Sequence, residues 1–259
     1  MVTGLGRCGN GWTKSGHLAR RAIRRRPANV HEGRRIRNRV NRIVPSDIPH
    51  VYTDGASVFT VNLVPGIAVS KEPLITQEGV EYRMWNPRRS KLAALITKGL
   101  GVFPFGPRTE VLYLGAGQGT TVSHISDICV DGTIYAVEIS RRAFQKLLQL
   151  AERRPNVMPI LADAEDPEAY GRLLAPIDVL YQDVAQRDQV AVLRKNLAFL
   201  RRGGLAILML KSRSADVVAD PKAVYARARR ALPADLEVLQ LTELDPYEAD
   251  HAAFVMEKS

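Results

Sequence analysis

The stretch VLYLGAGQGTT, residues 111–121, decides how the rest of the chain is read. Its apolar opening reads as a buried strand. Glycines at 115, 117 and 119 then let the backbone turn sharply and approach a ligand closely. Dinucleotides, nucleoside triphosphates and sulfonium methyl donors are all held by turns of this kind. The dinucleotide fingerprint G-x-G-x-x-G needs a glycine at position 120, where Thr120 stands. The loop also lacks the phosphate-binding lysine of a P-loop, which argues against that reading too, but the loop alone does not identify its ligand.

Working outward, strands are predicted at 110–114, 133–138, 157–161, 177–183 and 205–211, with helices at 120–128, 141–153, 188–201 and 221–232. That alternation is the signature of a doubly wound α/β fold with a parallel sheet. The chain ends differently. LEVLQLTEL and AAFVMEK are joined by a link too short for a parallel crossover, so they should pair antiparallel. A mostly parallel sheet with an antiparallel last strand is the methyltransferase variant of this architecture. Upstream, HVYTDGASVFTVNLVPGIAV (50–69) and GVEYRMW (79–85) carry short β runs between Asp-Gly, Pro-Gly and Glu-Gly turns. They predict a small β-rich N-terminal subdomain over 46–84, before a methyltransferase domain over 85–259. In WNPRRSKLAALITKGL (85–100), Asn86 suits an N-cap and Pro87 the first helical position, with Leu92, Leu95, Ile96 and Gly99 forming the apolar face.

Ligands of doubly wound sheets sit beyond the carboxyl ends of the strands. The second strand ends at Glu138, whose carboxylate can accept from both hydroxyls of a ribose. The third ends at Asp163, followed by small Ala164; that carboxylate can accept from an adenine amine. With the glycine loop, these residues point to S-adenosylmethionine. The fourth strand ends at Asp183 and the fifth at Lys211. His251 opens the last strand, and Lys91 lies on the helix before the sheet.

Composition excludes several classes. No stretch approaches the roughly 20 apolar residues of a membrane span, and no metal-ligand cluster is apparent. Cys8 and Cys129 make no disulfide framework, which predicts a reducing, intracellular and cytoplasmic setting. The net charge of +10 is unevenly placed: residues 1–45 hold 12 Lys and Arg against the single acid Glu32, whereas residues 46–259 hold 25 against 26. Rich in arginine and poor in large apolar side chains, residues 1–45 are expected to be a disordered basic extension. An RNA-binding arm, a solvated tail and a stretch ahead of the true start codon all remain open for it.

The motifs MWNPRRSKLAALI, VLYLGAGQGTT, YAVEIS, RPNVMPILADAEDP, DVLYQDVAQ, LMLKSRS and DPYEADHAAF resemble, in order, those of the fibrillarin family, in particular its archaeal fibrillarin-like RNA 2′-O-methyltransferases. The resemblance runs from about residue 50 to the C-terminus. It implies methyl transfer from S-adenosylmethionine to ribose 2′-hydroxyls of rRNA or tRNA by a Lys91, Asp183, Lys211 and His251 tetrad. Lys211, oriented by Asp183, would contact the hydroxyl and assist its deprotonation, while Lys91 and His251 hold the geometry and stabilise charge. Gly115, Ala116 and Gly117, with Thr120 and Thr121, would take the methionine end. Glu138 with Ile139 would hold the ribose and Asp163 with Ala164 the adenine; Asp183, Val184, Ala185 and Gln186 would close the site. The resemblance also implies a box C/D guide RNA, a Nop-family scaffold and a kink-turn-binding ribosomal-type protein as partners. Asn86, Gln118 and Ile139 depart from the family, which often has Asp, a smaller residue and Phe there. Two competing readings are a nicotinamide dehydrogenase, which needs the missing third glycine, and a non-catalytic assembly subunit, which predicts a broken tetrad.

Overall fold

A computed structural model describes residues 41–259; nearly all of the expected basic extension, and Cys8, lie outside the described residues. Short β runs between tight turns build an antiparallel sheet first. Its strands are β1 Val44–Pro45, β2 Tyr52–Thr53, β3 Val58–Val61, β4 Leu74–Gln77 and β5 Val80–Trp85, in the order β1-β2-β3-β5-β4. This sheet begins at Val44, ahead of residue 46. Ile43 is buried, and its N–H and C=O are both matched by the Gln77 side-chain amide, at 2.9 and 2.8 Å.

Helix α1 spans Lys91–Thr97, capped by Ser90 rather than Asn86. Asn86 and Pro87 instead form a turn, in which the Asn86 side chain accepts from the Arg88 N–H and its carbonyl from the Arg89 N–H. Asn and Pro suit such a turn as well as a helix start, and the Ser90 hydroxyl wins the cap.

The remaining elements are β6 Val111–Leu114, α2 Thr120–Ile128, β7 Ile134–Glu138, α3 Arg141–Ala151, β8 Val157–Leu161, β9 Ile177–Gln182, α4 Gln189–Asn196, β10 Leu200–Lys211, α5 Ser212–Ala215, α6 Pro221–Ala231, β11 Leu236–Glu243 and β12 His251–Lys258. Seven strands pair in the order β11-β12-β10-β9-β6-β7-β8. All neighbours from β10 to β8 are parallel, and β12 runs antiparallel to both β10 and β11. The helix expected over 188–201 ends at Asn196. Leu200 already pairs with Ile177, and a register shift through Gly203 and Gly204 carries the strand on to Leu205. Strand order reverses at β6, between β7 and β9, so the crevice opens above the loop quoted at the outset.

A buried ionic cluster ties the N-terminal sheet to α2. Arg83 of β5 bonds Glu72 and Asp127 at 2.6 and 2.8 Å, and Arg154 bonds Asp127 at 2.6 Å. Burial alone would raise the Glu72 carboxyl, but the Val69 and Ser70 N–H groups and Arg83 bring it down to about 2. Thr60 spends its only proton on Asp127, so its oxygen accepts from His124 Nδ1–H. Burial and Arg83 hold His124 well below the usual range, and its neutral ring stacks on Trp85. Cys129 is buried, which pushes its thiol up to about 12. Among the described residues, no helix is long and apolar enough to cross a membrane, and no group of three or more His, Cys, Asp or Glu could hold a metal ion.

Candidate active site

The glycine loop is shaped by close approach. Gly115 has φ +81°, and a Cβ there would sit 2.3 Å from the Asp183 carbonyl oxygen, so β6 and β9 can end side by side only with glycine. Its N–H and that of Ala116 both donate to Val137 O at 3.0 Å. Gly117 differs: at φ +58° its Cβ would meet nothing within 4 Å, so the space above the loop is open. Its N–H donates to Glu138 Oε2 and the Ser140 N–H to Oε1, each at 2.7 Å. The Glu138 carboxylate is thereby strapped between loop and helix, with lone pairs left for a ligand.

Beside this carboxylate Ile139 is 60% exposed, an apolar wall at the strand end. On the next strand end, Asp163 Oδ1 accepts from Glu165 N–H at 2.9 Å and from Gln186 Nε2 at 3.2 Å; Ala164 is buried behind it. Gln186 Oε1 is buried and has no hydrogen-bond partner among the described residues. An anchored hydroxyl acceptor, an apolar wall, a second carboxylate and an orphaned acceptor suit the ribose and adenine of an adenosine. Thr120 is half-buried at the start of α2, but Thr121 turns inward and donates its hydroxyl to Ser90 Oγ at 3.0 Å.

The structure joins the four expected catalytic residues in a different order from the one anticipated. Lys91 Nζ donates to both oxygens of Asp183, at 2.8 and 3.0 Å, in a half-buried pair. Asp183 therefore orients Lys91 and not Lys211, because α1 begins over the end of β9. Lys211 ends β10 directly opposite His251 of β12. Its ammonium has no hydrogen-bond partner among the described residues, whereas its backbone is clamped: the Gln189 amide accepts from Lys211 N–H at 2.9 Å and donates to its carbonyl at 3.0 Å. His251 is buried, with Nδ1 2.7 Å from the Ala249 carbonyl. A carbonyl only accepts, so Nδ1 carries the proton and Nε2 keeps its lone pair. Burial, and after it the charge of Lys91, keep the ring below the usual histidine range.

Sequence reading missed two of these parts. Ser90 Oγ receives the Trp85 indole N–H (3.0 Å) and the Thr121 hydroxyl as well as its helix cap, joining the base of Lys91 to α2. Gln189 stands in for the strand neighbour that β10 lacks beyond β9. A serine before a helix is a visible cap signal; a glutamine at a helix start carries no sign of its target.

A family model described as fibrillarin matches residues 47–259. A fibrillarin-like rRNA/tRNA 2′-O-methyltransferase of Pyrococcus furiosus is 46% identical over 217 residues, covering 81% of this chain and 96% of that protein. The chain also resembles the solved Aeropyrum pernix fibrillarin with natively bound S-adenosyl-L-methionine: 41% identity, TM-score 0.75, 83% of this chain and 99% of that one. The fibrillarin of a solved fibrillarin/Nop5p complex gives 36% identity and TM-score 0.75, covering 81% and 98%.

Proposed function

The chain belongs to the fibrillarin family, and from that premise we propose that it is the methyl-transferring subunit of a guide-RNA-directed box C/D ribonucleoprotein. It is an S-adenosylmethionine-dependent RNA 2′-O-methyltransferase, as its relatives' activity and bound cofactor support. The observation that carries the assignment is the Lys91–Asp183 pair at the open rim of the sheet, beside a loop and carboxylates suited to adenosine.

The cofactor's place is read from Gly115 to Gly117, Glu138, Ile139, Asp163 and Gln186. When bound, S-adenosylmethionine supplies a methyl carbon activated by a sulfonium, so the proton of the attacking hydroxyl is the charge left for the protein to manage. Lys211, fixed in place by the Gln189 clamp, meets the 2′-hydroxyl and, as the unprotonated amine, takes up its proton as attack develops and so becomes the ammonium. Lys91, locked by both Asp183 oxygens, stabilises negative charge on that oxygen without reorganising. His251 stays neutral beside Lys91 and adds no competing cation.

A Nop-family scaffold and a kink-turn-binding protein would hold the guide. The near balance of charge over residues 46–259 supports this, because a body without net positive charge draws RNA only through local patches and leaves the placement of the guide to partners. In a reconstituted particle, shifting the guide's complementary stretch should move the methylated nucleotide with it. Methylation that stays put, or proceeds equally without guide, would contradict guidance.

A further inference from the structure

We infer that the cleft between the N-terminal sheet and α3 seats the phosphate backbone of RNA, an inference that rests on the RNA methyl-transfer reading. The cleft, about 730 Å³, lies between the turn around Ser70, the loop residues Gln118 and Thr120, and the outer face of α3. Lys71 and Arg89 stand on one wall and Lys146 and Arg153 on the other, and among the described residues Glu152 is the one carboxylate lining it. Among the described residues, none of these four cations pairs with a carboxylate. Around the α4–α6 face, by contrast, Arg213 pairs with Asp250 and Arg227 with Asp216. Four unpaired cations on one concave surface repel each other and attract a polyanion.

The cleft is also prepared in advance. Lys71 sits at φ +62°, a conformation that side-chain-bearing residues rarely adopt. Buried Glu72 holds it there by accepting from the N–H groups of Val69 (2.9 Å) and Ser70 (2.6 Å), while Arg83 fixes the carboxylate from behind. Arg89 closes the turn from the other side by donating to the Ser70 carbonyl. On the far wall, exposed Lys146 and Gln149 are i, i+3 neighbours on α3, and exposed Arg153 stands in the turn just past the helix end. At 1.5 Å per residue Lys146 to Arg153 runs about 10 Å, which a chain of phosphates spans and a single anion does not. Gln118 and Thr120 border both the cleft and the methyl donor's loop. An RNA strand lying in the cleft therefore passes beside the site of transfer, which favours RNA over an acidic peptide.

The test compares the full chain with its Lys71→Ala, Lys146→Ala, Arg153→Ala triple variant, so that residues 1–45 contribute equally to both. Anisotropy of a fluorescein-labelled RNA duplex is measured across a salt series. Losing three phosphate contacts should flatten the plot of log affinity against log salt by about 2 to 3. In the reconstituted particle, the KM for target RNA should rise about tenfold, with kcat and cofactor affinity unchanged. An unaltered slope and KM would overturn the proposal, as would polyglutamate displacing the RNA at equal charge concentration. The predicted flattening in the variant, together with a wild-type particle that transfers no methyl, would overturn the enzymatic reading and leave the cleft standing.

Discussion

Asp183 does two jobs within a few ångströms. Its carbonyl crowds Gly115, and its carboxylate holds Lys91 through both oxygens. Asp183→Asn keeps the shape but cannot accept two charged bonds, so single-turnover transfer should fall by about 10² or more with cofactor affinity nearly intact. Lys211→Ala should lose about 10²–10⁴ in the same assay; retained turnover in either variant would remove that residue from the chemistry. These side chains were legible because doubly wound sheets place ligands at strand ends, and strand ends can be read from apolar runs. The Lys91–Asp183 pairing was not, since it depends on where α1 crosses the sheet. Gln189 was hidden for a similar reason: it serves a backbone 22 residues away.

Among elements, the glycine loop separates stability from binding. Gly115→Ala drives a methyl group into the Asp183 backbone at positive φ, and should cost about 3 kcal/mol. Gly117→Ala carries only the conformational penalty, about 1 kcal/mol, because its Cβ finds open space. Thermal melts and cofactor titration should therefore diverge: Gly117→Ala melts near wild type but binds cofactor more weakly. Equal losses of stability in the two variants would refute this division. The alternation of strands and helices and the antiparallel last pair were legible from period and link length. Element edges were less so. Asn86 made a turn where a cap was expected, and β10 began at Leu200 because a glycine pair let the strand absorb a register shift.

For the whole molecule, the Arg83 cluster joins the N-terminal sheet to α2, and Glu72 makes that junction pH-sensitive. Glu72 lies at about 2 in the folded protein against an ordinary 4.5, so unfolding takes up a proton between those values. Stability is present above pH 4.5 and is lost as pH falls toward 2, by about 3 kcal/mol. Buried neutral His124 acts in the same direction, losing stability as pH falls below about 6.5. Denaturant titrations from neutral to acid pH should show the Glu72 loss in wild type and a flatter profile in Glu72→Gln; identical slopes would contradict the assignment. None of this was visible in sequence, because Glu72, Arg83, Asp127 and Arg154 are far apart in the chain and each reads as a surface charge. The central claim concerns what the joined molecule does. A reconstituted particle given labelled S-adenosylmethionine should methylate a target with ribose at the guided position and leave the matching 2′-deoxyribose target unlabelled. Equal labelling of the two targets would contradict 2′-hydroxyl methylation outright.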